Sequence, residues 1–301
     1  MTDSSAPQTD AAAPSSPLIV VGIRPDTVRR DPEVPGAARP EPTEAHPALA
    51  WAVERARATA ADLKLVAIVD PKAEGLDALA IAPLEALAIP LRATGLAVTV
   101  EVIDDRHVDR ALPDAATDAA LLVIGTDHVP GSRRERGHLS RHLVSHAHCS
   151  VAVVPDLDEA QRREGVVVGV DGSEVSHRAL AFAADEAARL REPLTIVSTW
   201  MPVPVSLDVN MTYDPMPYDL QAPTEAFAQT AVDEARTRHP DLDVRTLVAE
   251  GDAAIAITDA STSARLTVVG THGRGGLARL LLGSTSTAVL ENATAVTFAV
   301  R

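Results

Sequence analysis

Residues 268–289, VVGTHGRGGLARLLLGSTSTAV, hold the positions in this chain best suited to gripping an anion. Gly270 is followed after two residues by Gly273, and after nine more by Gly283 with Ser284 directly behind it. An apolar run, Leu266 to Val269, leads into the first glycine, and a helix-compatible run from Thr285 follows the last. Strand, glycine loop and helix start in that order predict a phosphate cradle. Glycine lets backbone approach an anion closely and adopt positive φ. A helix capped by Ser284 would aim its free N–H groups and positive dipole end at the same point. Ser286 repeats the hydroxyl two positions on. The spacing is not a Walker loop, because no Gly-Lys-Ser/Thr closes it, and it is wider than the dinucleotide fingerprint.

The elements that must hold this loop recur along the chain. Val20-Val21-Gly22-Ile23 parallels Val168-Gly169-Val170-Asp171, and Leu65 to Val69 parallels Ile196 to Trp200. Leu121 to Gly125 parallels Leu266 to Gly270, and Val151 to Val154 parallels Val296 to Ala299. From Gly125 to Pro155 the copies align at a constant offset of 145 residues. Short Val-rich runs alternating with Ala-rich stretches are the pattern of buried parallel strands joined by helices. Each copy reads β-α-β-α-β-α-β-α-β. The expected fold is α/β: two tandem domains, each an open five-stranded parallel sheet with helices on both faces. Residues 1–17 read as a disordered N-terminus, 18–155 and 166–301 as the domains, and 156–165 as a charged linker. The apolar last strands of the two copies are expected to pair with each other as an intramolecular pseudo-dimer rather than stay open as edges.

At Gly270, Gly273, Gly283 and Ser284 the chain resembles the universal stress protein family. ATP-binding members of that family carry Gly-x2-Gly-x9-Gly-Ser/Thr after the fourth strand of a five-stranded domain of the adenine-nucleotide α-hydrolase-like fold. The resemblance implies ATP, with Mg2+, as the ligand. It places Gly169, Val170 and Asp171 beside adenine and ribose, with Asp171 accepting a ribose hydroxyl. The residues themselves allow a second role for Asp171, as a turn residue ahead of a helix near Glu174, which Asp-Gly-Ser suits. Thr199 would lie beside the base and Gly251 at the rim, with Asp252 as a helix cap. Backbone N–H groups of Gly273 to Gly275 and of Ser284, Thr285 and Ser286 would hold phosphates, with His272 and Arg274 alongside. The implied role is stress-response regulation through nucleotide-dependent binding of a protein partner. A weak ATP hydrolase or adenylylating enzyme and a ligand-free scaffold are the alternatives. No lysine or carboxylate pair in the loop assigns a catalytic residue.

The first copy keeps the strands and alters the site. At the constant offset, Gly273 becomes His128, Gly283 becomes His138 and Ser284 becomes Leu139. Arg24 stands for Asp171 and Arg106 for Gly251. One nucleotide per chain is therefore expected. His138, His142 and His146 share a helical face at metal-compatible spacing, but no carboxylate or thiol completes a set on it.

Composition narrows the rest. Net charge is −15, and aromatics make up 2% of the chain. An acidic chain so poor in aromatics lacks both the charge and the stacking surface of a nucleic-acid binder. Cys149 is the single cysteine, so no internal disulfide forms, and its apolar neighbours suggest a small buried side chain. No apolar run has membrane-spanning length, and Met1 to Pro17 lacks the apolar core of a signal peptide, so the cytoplasm is the expected compartment. Proline-rich insertions interrupt the copies at Arg24–Pro47 and Met201–Pro223, the second holding Tyr213 and Tyr218.

Overall fold

The structure is a computed structural model that describes residues 16–24, 46–70, 77–126, 138–156, 161–201, 220–273 and 282–301. Most of the expected N-terminal tail and of both proline-rich insertions, with Tyr213 and Tyr218, lies outside the described residues, as do His128, Arg274 and Gly275. The first repeat runs β1 (Leu18–Gly22), α1 (Pro47–Thr59), β2 (Asp62–Val69), α2 (Asp77–Ala93), β3 (Val98–Asp104), α3 (Val108–Ala115), β4 (Leu121–Gly125), α4 (His138–His146) and β5 (Ser150–Val154). The second runs β6 (Val166–Gly169), α5 (Glu174–Leu190), β7 (Leu194–Trp200), α6 (Gln221–Arg238), β8 (Val244–Glu250), α7 (Ala253–Ala260), β9 (Leu266–Gly270), α8 (Ser284–Glu291) and β10 (Val296–Val300). The alternation anticipated from the Val-rich and Ala-rich runs is what forms.

All ten strands join one sheet in the order β3-β2-β1-β4-β5-β10-β9-β6-β7-β8. Every pairing is parallel except β5 with β10, which is antiparallel and joins the repeats. Central strands such as β4 and β10 are buried along nearly their whole length, as strands covered by helices on both faces must be. Helices α1, α2, α5 and α6 share one continuous core on one face. Helices α3, α4, α7 and α8 cover the other.

Strand register corrects the alignment of the repeats. Val21 pairs with Leu65 and Val123, as Val168 pairs with Ile196 and Val268, so Gly22 matches Gly169 and Arg24 matches Asp171. Leu121 pairs with Ser150 whereas Leu266 pairs with Val296, which makes the offset 146 at β5 and β10. Helices α4 and α8 start at His138 and Ser284, again 146 apart, with Ser140 and Ser286 buried at matching places. The constant offset of 145 therefore fails inside the loop. Gly283 corresponds in sequence to Gly137 rather than His138, and Ser284 to His138 rather than Leu139. The first repeat is one residue shorter there, and a gapless comparison could not register it.

The seam between repeats collects three of the five aromatics among the described residues, Phe298, Phe182 and Trp51. Phe298 on β10 faces Ala152 across the antiparallel ladder and is fully buried. Its ring meets Phe182 of α5 at 4.7 Å and Trp51 of α1 edge-on at 5.5 Å. The Arg55 guanidinium lies 5.7 Å from the Phe298 ring and pairs with buried Glu186, which Arg189 also contacts at 2.8 Å. On the opposite face, Arg301 donates to the Ser145 carbonyl at 2.7 Å and so closes the C-terminal end of α4. No helix among the described residues is long and apolar enough to cross a membrane.

Candidate functional site

Open parallel sheets offer a ligand crevice where adjacent strands send their crossovers to opposite sides. In the second repeat that point lies between β6 and β9. A cavity of about 890 Å³ opens there, within the usual range for small-molecule sites. Of the expected residues, Gly169, Val170, Asp171, Thr199, Gly270, His272, Gly273, Gly283, Ser284, Thr285 and Ser286 line it. Arg274 lies outside the described residues. Gly251 is not among the lining residues: it sits at φ +118°, and a Cβ there would meet nothing within 4 Å. Its glycine serves the turn after β8, not close approach to a ligand. Asp252 does cap α7, accepting from the N–H groups of Ala254 and Ile255.

Two bonds fix the start of α8 to the end of β9, and a third ties that end to β10. Gly283 N–H donates to the Thr271 carbonyl at 2.8 Å, and Thr271 N–H to Val300 at 2.9 Å. The Ser286 hydroxyl donates to the Gly270 carbonyl at 2.6 Å. Ser286 was expected to offer its hydroxyl to an anion, but that proton is committed to holding the helix in place. Gly283, not Ser284, is the N-cap, so Ser284 is the first helical residue. The first hydrogen bond of the helix runs from Thr287 N–H to Gly283. The N–H groups of Ser284, Thr285 and Ser286 are thereby the orphan donors of the helix end, and all three residues line the cavity.

The motif glycines have separate physical reasons. A Cβ on Gly270 would lie 2.8 Å from Val175 of α5, so this glycine permits helix–strand packing. Gly169 has the same function against Ile257 of α7. A Cβ on Gly273 would collide with the Asp171 carboxylate, which lies directly against it. A Cβ on Gly283 would make only ordinary contacts, the nearest at 3.5 Å. Positive φ was expected of these loop glycines, yet among the described glycines it occurs at Gly95, Gly165, Gly172 and Gly251 instead. Asp171 also serves the turn: its Oδ1 accepts from Ser173 N–H at 2.9 Å, and Ser173 caps α5.

The apolar half of the cavity was not foreseen. Trp200, Met201, Leu220, Pro223, Phe227 and Ile257 line it, together with the polar helix start. Trp200 directly follows Thr199 on β7 and could have been picked out. Pro223 and Phe227 come from α6, beyond an insertion whose path no sequence pattern reveals. Ser198 donates to the Val170 carbonyl at 3.1 Å, and Thr224 to that of Leu220 at 2.7 Å. Much of the side-chain hydroxyl capacity is thus spent on the scaffold. Backbone groups and apolar side chains remain for a ligand.

In the first repeat, His46 occupies the N-cap place of Ser173 and makes no side-chain cap bond. It is buried, and burial first, then the Arg24 charge, lowers its pKa below the ordinary 6.5. Below pH 6.5 the unfolded chain takes up a proton that the folded chain resists, so stability falls as pH drops from there towards the folded value. Urea melts of the wild type should lose stability as pH falls through 6.5. His46→Ser should flatten that loss and add a cap bond of about 1 kcal/mol. Parallel slopes for the two proteins would contradict the assignment.

On the opposite face, the His146 ring nitrogen bonds the His142 carbonyl at 2.8 Å, and the two rings stack at 6.3 Å. Cys149 is half-buried, and burial pushes its thiol pKa up.

The family model described as the universal stress protein family matches residues 41–155 and again 163–301. A universal stress protein of Mycobacterium tuberculosis is 32% identical over 211 residues, covering 67% of each chain. One from Mycolicibacterium smegmatis is 31% identical over 210 residues, covering 69% of this chain and 70% of its own. In fold, the chain is similar to a functionally unknown protein of Pseudomonas aeruginosa, with TM-score 0.63 and 20% identity over 95% of this chain and 92% of that one. A universal stress protein of Archaeoglobus fulgidus superposes with TM-score 0.58 and 15% identity, over 95% and 97% of the two chains.

Proposed function

The chain belongs to the universal stress protein family, and we propose that its second repeat binds ATP while the first serves as a structural partner. The observation that carries this reading is the start of α8. Three orphan N–H groups, fixed by the Ser286 and Gly283 bonds, border a cavity that apolar side chains also line. Phosphates suit the first and a purine ring the second. Asp171, at the β6 end, is suited to accept a ribose hydroxyl. Micromolar affinity requires about 8 kcal/mol, which charge-assisted bonds to phosphate plus a buried base can supply. Mg2+ would be carried on the phosphates with its water shell, the usual mode for that ion. The chain would act in stress responses as a regulator, with the nucleotide-loaded rim presented to a protein partner.

The first repeat supports one site rather than two. It keeps Gly125 and, at the corrected register, Gly137, but has His128 for Gly273, His138 for Ser284 and Arg24 for Asp171. Calorimetric titration with ATP should give one equivalent per chain. Gly273→Val should remove it, because the valine would push aside the Asp171 carboxylate proposed to hold the ribose. Two equivalents of similar affinity, or unchanged binding by the variant, would refute the reading.

A further inference from the structure

Helix α2 shows solvent a face unlike that of its counterpart α6. The two align on their buried positions, Leu84, Leu87, Ala88 and Leu91 against Ala228, Ala231, Val232 and Ala235. In that alignment Ile81 and Ile89 stand where α6 has Glu225 and Asp233. Ile81 is 49% exposed and Ile89 62% exposed. Helix α6 meets water in the ordinary way: Gln221 bonds Glu225 at 2.8 Å and Gln229 bonds Asp233 at 3.1 Å along its outer face. Both helices cover the same places on equivalent strands, so the fold does not itself require an apolar exterior on α2.

The spacing of that exterior is informative. Exposed Ala82, Ala86, Ile89 and Ala93 follow one another at four, three and four residues, the spacing of a helix–helix seam. Beside the seam, Glu85 and Arg92 lie seven residues apart and bond each other at 2.6 Å. An acid followed one heptad later by a base is complementary to itself when the helix is run antiparallel. Adjacent to α2, strand β3 is, among the described residues, an edge of the ten-stranded sheet and contains no proline to block pairing. Helix and strand are also matched in length, roughly 25 Å for 17 residues of helix and roughly 23 Å for 7 of strand.

We infer that the α2–β3 face is the contact between two copies of this chain, with α2 packed antiparallel against α2 of the second copy about a twofold axis. The Glu85–Arg92 pattern selects a second copy over an unrelated partner, because about a twofold axis each intrahelical ion pair lies against its own reversed image, acid facing base. The small alanines let the helix axes come close, and Ile89 fills the centre.

Sedimentation velocity of the full chain over a wide concentration range should show a reversible dimer. Ile81→Glu with Ile89→Asp, which copies α6, should weaken it by at least about tenfold. Both side chains are exposed, so the thermal unfolding of the monomer should not change. Glu85→Arg and Arg92→Glu should each weaken the dimer alone and restore it together. A monomeric wild type, a dimer indifferent to the isoleucine pair, or charge reversals that fail to compensate would each overturn the assignment.

Discussion

Replacing Gly283 with aspartate is expected to abolish ATP binding while leaving the unliganded protein at least as stable as wild type. Gly283 is the N-cap of α8, with φ −63° and ψ 153°, an extended conformation open to any residue. A Cβ there meets nothing closer than 3.5 Å. Aspartate is a favoured N-cap whose carboxylate accepts from the second or third helical N–H, gaining a few tenths of a kcal/mol over glycine. Those are the donors of Thr285 and Ser286, the ones proposed to hold phosphate. The side chain would take the ligand's place and add a like charge beside it. Thermal melts with and without ATP test this directly. Wild type should gain about 2.7 kcal/mol at a hundredfold excess over Kd, and the variant nothing. Gly283→Ala, which brings neither charge nor acceptor, should still bind. If the aspartate variant gains as much as wild type, the anion lies elsewhere.

The second large effect is at the seam. Phe298→Ala should cost about 3–5 kcal/mol, the range for truncating a buried aromatic. That is a large part of the roughly 5–15 kcal/mol typical of a whole domain. Phe298 is fully buried, and three groups from two helices lean on its ring: Trp51, Phe182 and the Arg55 guanidinium. Because β10 bonds both β5 and β9, the loss should be felt in both repeats. The two tryptophans report on them separately, Trp51 from the first and Trp200 from the second. Urea melts of Trp51→Phe and Trp200→Phe backgrounds should shift together when Phe298 is truncated. A shift seen by one tryptophan alone would show that the repeats unfold independently.

The alternation of strands and helices was legible because it depends on periodicity and run length, and the runs are long and clean. Asp171, Gly270, Gly273 and Gly283 could be singled out because glycine and carboxylate at strand ends have few other uses. What each glycine does was not legible. Gly270 and Gly169 make room for Val175 and Ile257, and neither partner is near them in sequence. The shift between repeats was hidden for a related reason. A loop can lose one residue without disturbing the flanking patterns, and only the ladder pairing of Leu121 with Ser150 reveals the change. Phe227 escaped because a wall built by a distant helix leaves no local signal. The apolar exterior of α2 was open to reading from its composition, but it acquires meaning only beside the polar exterior of α6.

The position of β10 also governs how the chain can be made. Strand β10, the final strand of the second repeat, occupies the middle of the sheet, between β5 and β9. After Val154 is synthesised, 146 further residues (300 − 154) must follow before Val300 completes its cover. At roughly 5–20 residues per second, that leaves an apolar strand edge open for roughly 7–30 s in every molecule translated. A transcript cut short anywhere in the second repeat yields a first repeat with that edge permanently bare. The first repeat therefore cannot cover its own seam strand, and its final packing waits on the second repeat.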